Sequence, residues 1–444
     1  MTIEPKFSVL RVTRFYIPLL LQGFSQSLSY PLVAGIVTHG KFGVNALTAF
    51  SQGQMIMFMI GSLGAGLITT GLVFAKTWYG YISFRRLNAI MMSVLLALQC
   101  LVVLPPLSTW IFEGFFNLPK ELADISRWTL LYGSIMNLGF FLRNIPMVVL
   151  FNNLESGKSN NATLLRIAVT LVFSIVFPRY GLVGPWWGLF ALTFGVWVET
   201  IVTWLYARPY VHSLEKTFIV SHHANLTSKE ILSLTLEQFR FTLPLALGGF
   251  LLACSPLVIA AFVARTQHPA DMLAIHYVTM GVANPVAFAA LKLQTVSVKF
   301  QPEYPNDRRL LIYAIIAGII LGIIPLIFST AVVGKWYFEG FQNLPNRLLS
   351  TAEMVIGFYS FIAIIQAVRA RIEGIAAARK HPKALMAGQI AYTVSLFIVC
   401  LIMLPLGYQG WTIAVTAIFV APICVTITVY AMLNLNKGGT IWRK

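Results

Sequence analysis

Residues 110–122 read WIFEGFFNLPKEL, and residues 336–348 read WYFEGFQNLPNRL. Nine of the thirteen positions are identical, and the second copy begins 226 residues after the first. The same offset of 226 pairs Arg14-Phe15 with Arg240-Phe241, Pro18 with Pro244, Gly23-Phe24 with Gly249-Phe250, Thr69 with Thr295 and Phe74 with Phe300. It continues through Arg143 and Arg369, Gly181 and Gly407, and Gly184 and Gly410. A register held without slippage from one end of each half to the other marks a duplication, which sets the architecture before any local feature does.

The composition says what kind of halves these are. Of 444 residues, 57% are hydrophobic and only 11% are charged, with a mean hydropathy of +0.77, which excludes an ordinary soluble domain. A chain of this length holds roughly a dozen apolar spans of about 20 residues. Six are expected in the first half, over 15–38, 46–74, 88–107, 126–152, 161–178 and 183–207. Six more follow over 241–264, 271–299, 309–331, 352–375, 384–404 and 410–434. The expected fold is an all-α polytopic membrane protein with twelve transmembrane helices in two six-helix repeats. The division reads 1–207 for an N-lobe with helices 1–6, 208–236 for an inter-lobe linker, and 237–444 for a C-lobe with helices 7–12. The polar stretch around the linker, 208–240, is expected to be partly helical from Ser228 to Phe239. Six spans per half is an even number, so both halves enter the membrane from the same side and the repeats are parallel.

The net charge of +17 would suggest nucleic acid in a soluble protein, but here it reflects loop placement. The face carrying both termini, the linker and the loops after spans 2, 4, 8 and 10 holds 24 of the 32 Lys and Arg; the other face holds 7, and Arg143 lies deep in span 4. The positive-inside rule then puts the termini in the cytoplasm, with the bacterial inner membrane as the expected location. The repeated Trp-x-Phe-Glu-Gly-Phe segments fall outside, as interfacial elbows or an outer gate. The four cysteines lie in apolar runs and read as small buried hydrophobes.

Ionisable groups inside spans are costly and mark protein-lined interiors. Arg143 sits in span 4, near Pro146, which is expected to kink that helix. Its repeat partner is Arg369 in span 10, followed by Arg371, while span 8 adds Lys292 and span 5 adds Arg166. These side chains either snorkel to the headgroups or form the basic floor of a cavity, one arginine from each lobe. Glu199 in span 6 is the clearest embedded carboxylate, as a coupling group or as an ion-pair partner for Arg143. Span 1 carries Gln22, Gln26 and Tyr30, span 2 carries Gln52, and span 8 carries His276 and Tyr277. These polar groups either line a wet cavity or bond across helices. There is no phosphate-cradling glycine loop, metal-like His/Cys spacing or nucleophile elbow, so neither an enzyme nor a cofactor is expected.

The duplicated twelve-span plan, with a proline and polar residues in span 1, resembles the MOP flippase superfamily, which includes the MATE exporters. The run Val368-Arg-Ala-Arg-Ile-Glu-Gly-Ile-Ala-Ala-Ala-Arg-Lys-His-Pro is similar to that superfamily's helix–Gly–basic–helix junction before span 11. Within the group, Arg14-Phe15-Tyr16-Ile17-Pro18-Leu19, Gly71-Leu72-Val73-Phe74 and Leu404-Pro405-Leu406-Gly407 resemble the progressive ankylosis protein family most. The resemblance implies a V-shaped carrier with alternating access, and export of anions such as pyrophosphate, nucleotide or citrate. One departure is that span 1 has no acidic residue, where many MATE proteins carry one. The expected function is an exporter or flippase for an anionic, phosphorylated or carboxylated small molecule or lipid-linked substrate. Its partners would be that substrate and membrane lipids, with no nucleic acid, and the chain would act as a monomer. The competing readings are a cation-coupled multidrug antiporter and, from another class, a lipid scramblase or an envelope-assembly scaffold.

Overall fold

The computed structural model describes residues 7–116, 118–221, 227–304, 308–342 and 344–435, and all regular structure among them is helical. The first half contains α1 (Val9–Thr38), α2 (Asn45–Phe74), α3 (Trp78–Val103), α4 (Lys120–Asn152), α5 (Ser156–Arg179) and α6 (Pro185–Ser221). The second contains α7 (Ser228–Val263), α8 (Asp271–Phe300), α9 (Arg309–Phe328), α10 (Asn346–Ala378), α11 (Pro382–Met403) and α12 (Gly410–Leu435). Eleven of these, α2 to α12, are long and apolar enough to cross a membrane among the described residues. The twelfth, α1, runs for 30 residues with no charged side chain after Arg14. Helices are what such sequences must form in lipid, because each backbone N–H and C=O is then satisfied within its own segment. The protein is an all-α integral membrane protein.

The 226-residue register is kept by the helices themselves. Asn45–Phe74 maps onto Asp271–Phe300, and Lys120–Asn152 maps onto Asn346–Ala378, end for end. The turns match as well: Gly181 before α6 and Gly407 before α12 take φ of +72° and +76°, a left-handed conformation that glycine adopts without steric cost. The linker is shorter than expected, since α6 runs on to Ser221 through Pro209 and α7 starts at Ser228.

The two repeated elbows share one geometry. Trp110–Phe115 and Lys335–Phe341 each form a π-helical turn, and each turn closes on the following strand of chain in the same way. Leu118 N donates to Phe112 O at 3.0 Å, and Leu344 N donates to Phe338 O at 2.8 Å. The central phenylalanines, Phe112 and Phe338, are fully buried, whereas Trp110 and Trp336 are 65% and 66% exposed. A buried anchor with an exposed indole suits the membrane interface, where the ring's apolar body and N–H both find partners.

The described residues group into two compact units, Ser25–Phe250 on the one hand and Met1–Phe24 with Leu251–Lys444 on the other. The expected division at 207 and 237 is therefore not the division by contact: both boundaries fall inside the first helix of a half, again 226 residues apart. The reason lies in matched contacts. Phe15 of α1 meets Phe300 of α8 edge-on at 5.7 Å, and its repeat equivalent Phe241 of α7 meets Phe74 of α2 at 5.3 Å. Tyr16 donates to Ala289 O, and Thr242 shares a hydrogen bond of 2.7 Å with Thr70. The opening of each half is thus packed on the second helix of the other half.

One asymmetry positions the candidate site. In the first half α4 is continuous, and it runs through Pro146 without a break in the helix. In the second half α10 is interrupted at Ser360–Phe361. Opposite the interruption, α9 carries Gly318 and Gly322, where a Cβ would meet the backbone of Ile364 at 2.7 Å and would overlap Ser360 O. The equivalent positions on α3 are Met92 and Leu96. Two small residues four apart let the α9 and α10 backbones touch, as in other close membrane helix pairs.

Candidate functional site

Within the unit Ser25–Phe250, three helices bring four side chains to one point. Glu199 of α6 accepts from Arg143 Nη1 of α4 at 2.7 Å and from Arg166 Nη1 of α5 at 3.1 Å, both on Oε2. Its other oxygen accepts from the Thr163 hydroxyl of α5. Arg143 also lies over the Phe140 ring at 4.8 Å. Arg143, Arg166 and Glu199 are all at most 5% exposed. A carboxylate shared by two guanidiniums leaves this buried knot with one net positive charge.

The other unit holds the counterpart at Arg369 of α10. Its Nε donates to Glu373 Oε1 at 2.9 Å, one turn further along the same helix. Nη2 donates to Gln389 Oε1 of α11 at 3.2 Å, and Nη1 reaches Gln366 Oε1 at 3.4 Å. Gln389 returns a hydrogen bond to Glu373 Oε1 at 2.9 Å, and the guanidinium sits over the Tyr392 ring at 5.1 Å. By the repeat register Gln389 stands where the first half has Thr163, and Tyr392 stands where it has Arg166. Glu199 corresponds to Val425, so the carboxylate has moved from the sixth helix of the repeat to the fourth. Both halves keep the arginine at the same place and answer its charge with different residues.

Arg369 borders an open cavity of about 210 Å³ lined by residues of α7, α8, α10, α11 and α12. Besides Arg369, its polar lining residues are Ser255, His276, Tyr277, Asn284, Tyr359, Gln366 and Tyr392, and the remaining lining is apolar. The Tyr359 hydroxyl and His276 Nδ1 are buried with no hydrogen-bond partner among the described residues. The interruption of α10 falls between two lining residues, Tyr359 and Ile362.

Of the residues expected from the sequence, the structure joins Arg143 with Glu199 in one knot, and Arg369 with His276 and Tyr277 at one cavity. Arg371 is buried on α10 but is not among the residues lining that cavity, and Lys292 lies half-buried at the interruption of α8. Gln22 is buried on α1, and Gln52 is half-buried on α2 with its Oε1 lacking a partner. Gln26 and Tyr30 belong to α1, and their side chains fall outside the described residues. Sequence reasoning missed Thr163, Gln366, Gln389, Tyr392 and Tyr359. Applying the 226 offset to the neighbours of Arg143 would have found two of these, since Thr163 and Arg166 map to Gln389 and Tyr392. Among the described residues no group of three or more His, Cys, Asp or Glu is placed to hold a metal ion.

No family model matches the chain, and no curated protein matches it at a significant level. Solved structures do. The chain is similar to the eukaryotic MATE transporter AtDTX14, with a TM-score of 0.71 at 13% identity, covering 98% of this chain and 96% of that one. It is similar to a MOP superfamily transporter from Pyrococcus furiosus, for which a reversed polarity of the binding pocket suggests a different function; the TM-score is 0.71 at 15% identity, over 96% of both chains. A multidrug resistance MATE family transporter of the MOP superfamily, in its outward-facing conformation, gives a TM-score of 0.67 at 16% identity over 97% of this chain and 96% of that one. At these identities the likeness establishes the fold, that of the twelve-helix MATE and MOP transporters.

Proposed function

We propose that this chain uses the MATE-like fold as an alternating-access exporter or flippase, moving an anionic small molecule or lipid-linked substrate out of the cytoplasm. One observation carries the anionic part. Six charged side chains are buried among the described residues, and four are arginines (Arg143, Arg166, Arg369, Arg371) against two glutamates (Glu199, Glu373). An interior with excess positive charge favours anions over cations. Both of these glutamates are bound to an arginine, so neither is a free carboxylate for a cation antiporter. The Pyrococcus furiosus transporter supports the idea that pocket polarity on this fold goes with a change of function. The resemblance to the progressive ankylosis family rests on the sequence motifs and agrees with anionic cargo. Comparing the growth medium of cells with the protein, without it and with the Arg369→Ala variant tests the reading. Organic or phosphorylated anions should accumulate only with the unaltered protein; enrichment confined to cationic compounds would overturn it.

The same reading places both termini and the linker in the cytoplasm of a bacterial inner membrane. In a cysteine-free background, Lys120→Cys should react with an impermeant maleimide added to intact cells, and Lys229→Cys should react only after lysis. Both side chains are exposed, so accessibility is set by the membrane. Labelling of Lys229→Cys in intact cells would reverse the orientation.

A further inference from the structure

We propose that the cavity beside Arg369 is a subsite for a singly charged organic anion with an apolar, ring-sized body, and that it discriminates against compact polyanions. The proposal rests on the anion-export reading and names the class of cargo.

Among the described residues Arg369 is the one ionised side chain lining the cavity, and Glu373 already answers part of its charge. Three of its N–H groups are engaged by Glu373, Gln366 and Gln389, out of the five a guanidinium offers. Enough remains for one carboxylate, but a compact di- or trianion would be left largely uncompensated in a low-dielectric site. The cavity holds about 210 Å³, and Ile259, Met280, Ala287, Phe288 and Ile418 supply an apolar wall. Such a wall suits a hydrocarbon or aromatic body and offers nothing to a second ionised group.

The cavity's lining residues also carry unmet hydrogen bonding. The Tyr359 hydroxyl is fully buried and His276 is 4% exposed, yet neither the hydroxyl nor His276 Nδ1 has a partner among the described residues. Buried polar groups are normally satisfied, and two unsatisfied ones on residues that line one cavity point to an occupant carrying acceptors. The repeat provides an internal control. His276 and Tyr359 correspond to Phe50 and Gly133 in the first half. There Phe50 is fully buried, and the Met57 sulfur occupies the space a side chain at Gly133 would need. At these two positions the first half places an aromatic ring and a thioether, and the second places an imidazole and a phenol.

The test uses the full-length protein in nanodiscs, with thermal stabilisation by phenylacetate, its cationic analogue phenethylamine, citrate and pyrophosphate as the readout. Phenylacetate should raise the melting temperature, and the other three should not. Tyr359→Phe removes one oxygen and should weaken phenylacetate about tenfold, the value of one hydrogen bond to a charged group. Ala287→Phe fills the cavity and should abolish the stabilisation; if that variant does not fold, Tyr359→Phe decides alone. Stabilisation by citrate or pyrophosphate equal to that by phenylacetate would overturn the proposal, as would the absence of any phenylacetate effect or an unchanged response in Tyr359→Phe. Anion efflux measured on the same variants separates the two levels: efflux that survives a failed binding test leaves export standing and removes only this subsite.

Discussion

Glu199→Gln is expected to destabilise the protein by about 3–5 kcal/mol, the cost of leaving a buried charge without its partner. The substitution keeps the shape of the side chain but leaves Arg143 and Arg166 buried side by side with no counter-charge. Arg143→Ala should cost less, because Arg166 and Glu199 remain as a one-to-one pair. Its loss is about 1.5–3 kcal/mol, one charge-assisted hydrogen bond, along with the contact to Phe140. A simple two-residue bridge would behave otherwise: removing both Arg143 and Glu199 would restore stability. With three members it should not, since Arg166 is then left alone. Melting curves of the two single variants and the double variant decide between these arrangements. A double variant as stable as the unaltered protein would show that Arg166 takes no part in the knot.

Arg369→Ala carries the second large effect, this time on transport. If the guanidinium helps hold an anion, substrate affinity should fall about ten- to a hundred-fold, and Arg369→Lys should recover only part of it because the fork is lost. Glu373 complicates the reading, since it would lose a donor at 2.9 Å and keep only Gln389. The combined Arg369→Gln and Glu373→Gln variant removes both charges and keeps the hydrogen-bonding shape. It should restore the melting temperature without restoring affinity. Recovery of transport in that variant would assign Arg369 a purely structural role.

Much of this fold is legible in the chain because a duplication writes each element twice. Helix ends at Asn45 and Asp271, and at Asn152 and Ala378, obey the register that WxFEGF reveals. The depth of Arg143 and Arg369 was readable for the same reason. Their partners were not. Glu373 lies within a helix that reads as one apolar span, and its pairing with Arg369 depends on which face of α10 meets α11. Arg166 looked like a residue near a helix end, free to snorkel, yet it is 4% exposed and bound to Glu199. The exchange of the opening segments of α1 and α7 between units was also hidden, since covalent order says nothing about which half a long helix packs on. The α10 interruption had a signal in the Gly318-x-x-x-Gly322 spacing of α9, which Met92 and Leu96 lack in the other half.

The protein is expected to carry anions across the membrane. Inside-out vesicles containing it, energised and given labelled phenylacetate, citrate or ethidium in parallel, test this most directly. Accumulation of a labelled anion, absent from vesicles without the protein and reduced by Arg369→Ala, is the predicted result. Accumulation of ethidium with no anion uptake would identify a cation exporter instead.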